Sequence, residues 1–438
     1  MAVAVFVRRW SVVLSSNYLD VAVQLMTLKC ASVLTSVVAL LSASSLCRSA
    51  GPLAQEYRIV WHNTDHERYV EGCGLARLDD GALVAVVPVV PRLEWSKERR
   101  VEQSRLHVVR SDDRGQTWQP AAELSYYSGV PWTHKRALYL FANEAGTEFR
   151  NDNLVLLRSL DGGRTWSPPV TLFVGHYWNC HTAMVVKNDV LYWAVDDLSL
   201  GSKRGPCAIA GDLTMDPMDP KAWRISKPVP FAGVPDSLTD PNLTGFTSQY
   251  LEPNVIEVAG KLQVLATVKP KRQSTANLCA LFDLSDNNQA LELTFRQYSP
   301  MPGGQLKFCV IRDDVSKLFW ATANLVVDSH GIMPWWNDGE NKRNYWGGRI
   351  GGNDRRFLML LYSLDGLNWF QAGCIAQAKR ISQSFMYARP VIDGDDLAII
   401  SRTSIDAPNQ HDADFATFHR VRNFRQLALD LYPESGLE

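Results

Sequence analysis

The chain has 438 residues and a formal net charge of −1, with 45 Lys and Arg set against 46 Asp and Glu. That balance leaves no electrostatic footprint for nucleic acid or an anionic membrane surface. Apolar residues make up 46% of the chain, ample for a sizeable core, and 14 are Trp, a side chain that packs cores and, where accessible, stacks on sugar rings.

The N-terminal region, residues 1–54, reads as an export signal. Lys29 gives a short positive stretch, residues 30–46 are apolar and small, and Ser- and Ala-rich sequence follows before the polar Gln55. Met26 is the expected true start, an extended positively charged region that includes residues 1–25 being the alternative, with cleavage between Ser45 and Ala54. Ser and Thr interrupt the apolar run, which is too weak for a stable membrane span. Cys30 and Cys47 leave with the signal. Cys73, Cys180, Cys207, Cys279, Cys309 and Cys374 remain, and an oxidising compartment allows disulfides whose pairing the sequence does not fix.

From residue 55 to 438 one domain is expected. Apolar, β-rich runs recur and no long stretch keeps a helical period. They group into six four-stranded units, which predicts an all-β, six-bladed propeller. The first unit uses 72–78, 82–89, 105–110 and 119–124; the second covers 129–173. The third opens with 181–187 and 190–195 and ends near 230. The fourth opens with 253–258 and 262–268 and closes near 298. The fifth uses 306–311, 318–325 and 357–362. The last has 385–392, 397–402 and 415–420 and lacks a fourth strand, which residues 58–61 can supply to close the ring.

Turns between first and second strands are short, whereas second-to-third connections are long: 90–104, 143–153, 196–206, 269–276, 326–356 and 403–414. Long loops gathered on one face of a rigid ring mark the expected site. First strands are entered there at Glu71, His181, Glu252, Lys307 and Tyr387, and second strands leave near Asp196, Asp197, Lys269 and Arg402. Arg389 lies two residues after Tyr387, on the same face of a regular strand. Glu252, His181, Asp197 and Tyr387 are the catalytic candidates, since carboxylates, a histidine and a tyrosine around a channel suit general acid–base work. Arg389, Arg402, Lys307, Glu71, Trp335 and Trp336 are the substrate-binding candidates. Each has a structural alternative: His181 as a channel hydrogen-bonder, Asp197 as a turn cap, the arginines as ties between blades. No motif calls for a metal or another cofactor.

Three turns carry a resemblance. Ser111-Asp112-Asp113-Arg114-Gly115-Gln116-Thr117-Trp118 and Ser159-Leu160-Asp161-Gly162-Gly163-Arg164-Thr165-Trp166 share the pattern Ser-x-Asp-x-Gly-x-Thr-Trp, and residues 363–369 hold a worn third copy. The pattern resembles the Asp box of the bacterial neuraminidase repeat, and from Tyr57 to Pro433 the chain looks like the sialidase superfamily. Residues 179–183 and 303–308 are similar to segments of a divergent, exported branch. The resemblance implies an exo-glycosidase with a tyrosine nucleophile, an activating glutamate, an aspartate acid/base and three arginines that clamp a sugar carboxylate. Glu252-Pro253-Asn254-Val255-Ile256-Glu257 matches the stretch with the activating glutamate, which maps that role onto Glu252 and, more loosely, the nucleophile onto Tyr387. Glu71 stands where the resemblance places the first clamp arginine, and Ala266-Thr267-Val268 where it places the second.

The expected function is therefore hydrolysis of a terminal sugar, acidic sugars among them, from glycans or polysaccharides. A uronate lyase and a non-catalytic glycan-binding propeller remain alternatives on the same fold.

Overall fold

A computed structural model of the chain describes residues 51–91, 104–144, 153–178, 180–200, 204–235, 237, 249–269, 277–327 and 354–431. The chain divides into two compact units, Met1–Gly51 and Pro52–Glu438, and the description concerns the second. Trp335 and Trp336, like residues 1–50 of the expected signal region, lie outside the described residues. Among those described, no helix is long and apolar enough to cross a membrane.

Six antiparallel sheets follow one another along the chain, as the recurring β-runs predict. Blade 1 holds Arg68–Val70, Gly74–Arg77, Leu83–Pro91, Arg105–Ser111 and Gln119–Leu124. Blade 2 holds Gly129–His134, Ala137–Asn143, Leu154–Ser159 and Val170–Phe173. Blade 3 has Tyr177–Trp178, Val185–Lys187, Val190–Asp197, Gly205–Asp212 and Trp223–Ile225. Blade 4 comprises Gln249–Val258, Lys261–Lys269, Leu278–Asp286 and Leu291–Pro300. Blade 5 is built from Cys309–Arg312, Phe319–Asn324, Phe357–Ser363 and Phe370–Gln377. Blade 6 takes Ser384–Asp393, Asp396–Ser404 and Phe415–Val421 and is completed by Arg58–His62.

Second strands are buried but for their end residues, and Leu83–Pro91 along its whole length, while outer strands such as Gln119–Leu124 are largely open to water. Alternate residues of a buried strand face opposite blades. In blade 3, Trp193 and Val195 join the core shared with blade 2 (Trp132, Phe141, Leu156), whereas Tyr192 and Ala194 join the core shared with blade 4 (Tyr250, Val264, Phe282). The six described cysteines are all free thiols, five of them buried.

The three repeated turns join third to fourth strands and share one hydrogen-bond scheme. The Ser hydroxyl accepts the Gly N–H, at 2.7 Å for Ser111–Gly115 and 2.8 Å for Ser159–Gly163. The Asp carboxylate accepts both the N–H and the hydroxyl of Thr117 or Thr165. In the worn copy Asn368 stands in for Thr and donates to Asp365 from its N–H and its side-chain amide. These donors hold the Asp113 carboxyl down at about 2. Gly115 needs its missing side chain twice over: its φ is +89° and an added Cβ would lie 2.3 Å from the Phe418 ring of blade 6.

Ring closure is electrostatic as well as strand-paired. Asp393 of blade 6 accepts from Arg77 and Arg114 of blade 1 at 2.9 Å each, and from Arg420 of its own blade at 2.8 Å. Removing this shared carboxylate leaves three cations together. Since Arg77 and Arg114 are more than a third exposed, Asp393→Asn is expected to cost about 2 kcal/mol, less than a fully buried pair, read by urea unfolding. The arginines lower the Asp393 pKa. Its contribution is thus fully present above the unfolded carboxyl value and lost as the pH falls through the lower folded one.

Candidate active site

The innermost strand of four blades carries extra residues at one level of the channel. In blade 4 the pairs Leu251↔Thr267 and Asn254↔Leu265 bracket two residues against one, and in blade 6 Met386↔Arg402 and Arg389↔Ile400 do the same. Blade 1 is broken between Val70 and Gly74, and blade 3 between Trp178 and Val185. These interruptions hold Glu71, His181, Glu252 and Tyr387. The sequence expectation put these residues at strand entrances. Glu252 and Tyr387 lie instead inside strands that begin earlier, at Gln249 and Ser384, and Glu71 and His181 lie in the breaks that follow Arg68–Val70 and Tyr177–Trp178.

A bulge re-aims a side chain, and here it does so with left-handed backbone: φ is +53° at Glu252 and +51° at Tyr387. Such a conformation is unfavourable for a bulky side chain and persists only when its surroundings fix it. The outcome is that the Tyr387 hydroxyl donates to Glu252 Oε1 at 2.5 Å, across the channel from blade 6 to blade 4. Glu252 is 2% exposed, and its Oε2 is buried with no hydrogen-bond partner. Burial first, then the neighbouring Glu252 charge, pushes the Tyr387 phenol well above its ordinary pKa, with Arg355 pulling the other way. Tyr387 therefore rests as a neutral phenol.

Three cations crowd that phenol: Arg402 lies 5.3 Å, Arg355 5.5 Å and Lys307 5.9 Å from the ring centroid. Lys307 also donates to Ala388 O at 3.2 Å. Arg402 donates to Glu71 Oε1 and to His411 O. Glu71, where the sequence resemblance places the first clamp arginine, pairs with Arg402. Arg355 escaped the sequence reading because it ends the longest loop, outside any strand pattern. Its signal was local: Arg356 pairs with Asp354 at 2.7 Å, and its neighbour Arg355 turns inward, 2% exposed.

Arg389 does not stand beside Tyr387 as a regular strand would have it. Its guanidinium donates to Thr182 O at 2.9 Å and contacts Cys309 Sγ at 3.1 Å, tying blade 6 to blades 3 and 5. His181 Nε2 donates to Gly72 O at 2.9 Å. Burial, then Lys307 and Arg389, push its pKa well below the ordinary value, so the ring is neutral. Its Nδ1 is buried without a partner beside Gly74, where a Cβ would come within 2.6 Å of it. Asp197 accepts the N–H and hydroxyl of Ser199 at 2.8 and 2.5 Å, an Asx turn. Its neighbour Asp196 is the carboxylate that reaches Glu252.

Asn254, fully buried, binds the blades around this level. Its Oδ1 accepts the N–H groups of Ala183 (3.0 Å) and Val310 (3.1 Å), and its Nδ2 donates to the carbonyls of Glu252 (3.2 Å) and Phe308 (3.3 Å). One amide thus joins blades 3, 4 and 5. Among the described residues no group of three His, Cys, Asp or Glu gathers as a metal site.

No protein-family model and no curated protein matches the chain. Solved structures do. Trypanosoma rangeli sialidase in complex with sialic acid is similar at 17% identity and a TM-score of 0.51, over 83% of this chain and 56% of that one. A Hadza microbial sialidase is similar at 15% identity and a TM-score of 0.54, over 84% and 68%. Penicillium chrysogenum α-L-arabinanase complexed with arabinobiose is similar at 12% identity and a TM-score of 0.51, over 86% of this chain and all of that one. The chain thus spans little more than half the length of the trypanosomal enzyme. The protein has the six-bladed sialidase-like propeller fold, which it shares with sialidases and with an arabinanase.

Proposed function

We propose that the protein is a glycoside hydrolase that removes a terminal sugar from glycans or polysaccharides, with Tyr387 as nucleophile and Glu252 as its base. The observation that carries this reading is the 2.5 Å contact between the two side chains at paired bulges. Tyr387 Oη attacks the anomeric carbon as its proton passes to Glu252, and the glycosidic bond breaks with its electron pair going to the leaving oxygen, which takes a proton from solvent. Water then attacks the same carbon and gives a proton to solvent, and Tyr387 leaves and recovers its proton from Glu252. A neutral phenol approaches an acidic sugar without the repulsion a carboxylate would meet. Lys307 and Arg355 flank that approach, which supports acidic sugars among the substrates, while Glu71 holds Arg402.

Aryl glycosides test the Tyr387–Glu252 half of the reaction alone, because an aryl oxygen of low pKa departs without a proton. The panel runs from the sialoside to neutral pentosides and hexosides, with uronate polysaccharides read in parallel by ultraviolet absorbance. Release of aryl alcohol that Glu252→Gln abolishes is the expected result. New absorbance alone would mean elimination at the same site. Silence across the panel would leave a glycan-binding propeller.

The proposal includes export, on the strength of the signal-like residues 26–54. Leu53 and Ala54 donate to Cys374 O and Ile375 O of blade 5 at 2.7 and 2.9 Å, so a processing site that spares the fold lies before Pro52. N-terminal sequencing of secreted protein is expected to begin upstream of Leu53; a start at Gln55 would contradict it.

A further inference from the structure

We infer that Asp196 is a positioning residue for Glu252: a buried blade 3 carboxylate that holds the backbone of the base in the conformation aimed at Tyr387. The inference rests on the role proposed for Glu252. Strand alternation places Asp196 with Tyr192 and Ala194 on the side of blade 3 that faces blade 4. The bulge takes the Glu252 N–H out of the inner ladder, since Leu251 and Asn254 are the flanking paired residues. Both Asp196 oxygens accept that N–H, at 3.0 and 3.2 Å, and Arg204 Nη2 grips Oδ2 at 2.6 Å. Asp196 is wholly buried and Arg204 is 6% exposed.

Each link has a physical reason. A buried backbone N–H outside the ladder must find an acceptor, and a charged acceptor makes a stronger bond than a neutral one. Arg204 supplies the counter-charge without which a buried carboxylate would protonate. The Asn254 amide takes the carbonyl of the same residue at 3.2 Å, so the Glu252 peptide is gripped from both ends. The left-handed turn is therefore held by partners rather than by Glu252's own preference, and Asp196 is the partner that can titrate.

Burial, opposed by Arg204, raises the Asp196 carboxyl to about 6. The groups electrostatically coupled to it are Arg204 and Cys207 of the next strand, Glu252 of blade 4 and Cys180 of the inner segment. Of these, Cys180 and Cys207 have their thiol pKa values raised by burial and stay neutral. Loss of the Asp196 charge as the pH falls through about 6 would weaken its grip on Arg204 and on the Glu252 N–H.

The test is hydrogen exchange at the Glu252 amide, read beside steady-state kinetics on the best aryl glycoside, in the full-length protein. Asp196→Asn is expected to speed that exchange at least about tenfold. It should also lower kcat about 100-fold with KM nearly unchanged, as misplacement of a reacting group does, and remove the acid limb near pH 6. Arg204→Lys keeps the charge but loses the planar grip, so it serves if Asp196→Asn does not fold; its acid limb should move to higher pH. Unchanged exchange at Glu252 in whichever variant folds would overturn the inference, as would faster exchange with kcat and the pH profile intact. Faster exchange in a protein whose wild type turns over nothing would instead sink the glycosidase reading and leave the anchoring of Glu252 standing.

Discussion

Replacement of Asn254 by Ala is expected to lower the unfolding free energy by about 4 kcal/mol, a large effect for one uncharged side chain. Four buried backbone groups depend on its amide: two N–H groups, from blades 3 and 5, and two carbonyls, one of them that of Glu252. Each unsatisfied buried group costs about 1–3 kcal/mol; the sum is smaller because water entering the gap can serve some of them. Asn254→Asp keeps the acceptor half but turns a carboxylate toward two carbonyls, so it should be no better than Ala. Denaturant unfolding of the three proteins checks this. A loss below about 1 kcal/mol in Asn254→Ala would mean that the strands, not this amide, hold blades 3, 4 and 5 together.

The largest effects on turnover are expected at the pair itself. Tyr387→Phe keeps the ring beneath Arg402, Arg355 and Lys307 but removes the attacking oxygen, and kcat/KM should fall at least about 10⁴-fold. Glu252→Gln keeps the shape and removes the base, with a fall of about 10²–10⁴-fold. The double variant should be no slower than the worse single one, because a nucleophile and its base act as a unit. Folding should survive: Tyr387→Phe leaves Glu252 Oε1 without its donor, at a cost of about 1–2 kcal/mol. Activity retained in Tyr387→Phe with Glu252→Gln inactive would move the nucleophile elsewhere and leave Glu252 acting on water.

The scaffold was legible in the sequence because its determinants are local. Each repeated turn closes on itself through Ser, Asp and Gly, and the missing strand of blade 6 could be counted and matched to residues 58–61. The site was legible in part. Glu71, His181, Glu252, Lys307 and Tyr387 do gather at one level, because long loops on one face mark the ends of inner strands. What strand periodicity missed are the bulges, where an extra residue breaks the alternation that side-chain direction is read from. Pro253, directly after Glu252 and inside the bulge, was the available signal, since proline in a strand is confined to edges and bulges. The preference for Asp197 over Asp196 shows the same limit. Counting in twos from Tyr192 and Ala194 points Asp196 at blade 4 and leaves Asp197 to its turn. Arg355 ends a long loop, where no period applies.

In the proposed reaction Tyr387 bonds covalently to the sugar, and intact and peptide mass after incubation with an activated fluorosugar chosen from the active aryl glycoside would detect that bond. One added glycosyl mass on the peptide that carries Tyr387, absent from Tyr387→Phe and slow to form in Glu252→Gln, is the predicted result. Steady turnover of the aryl glycoside with no adduct on any residue, or an adduct on a carboxylate instead, would contradict it.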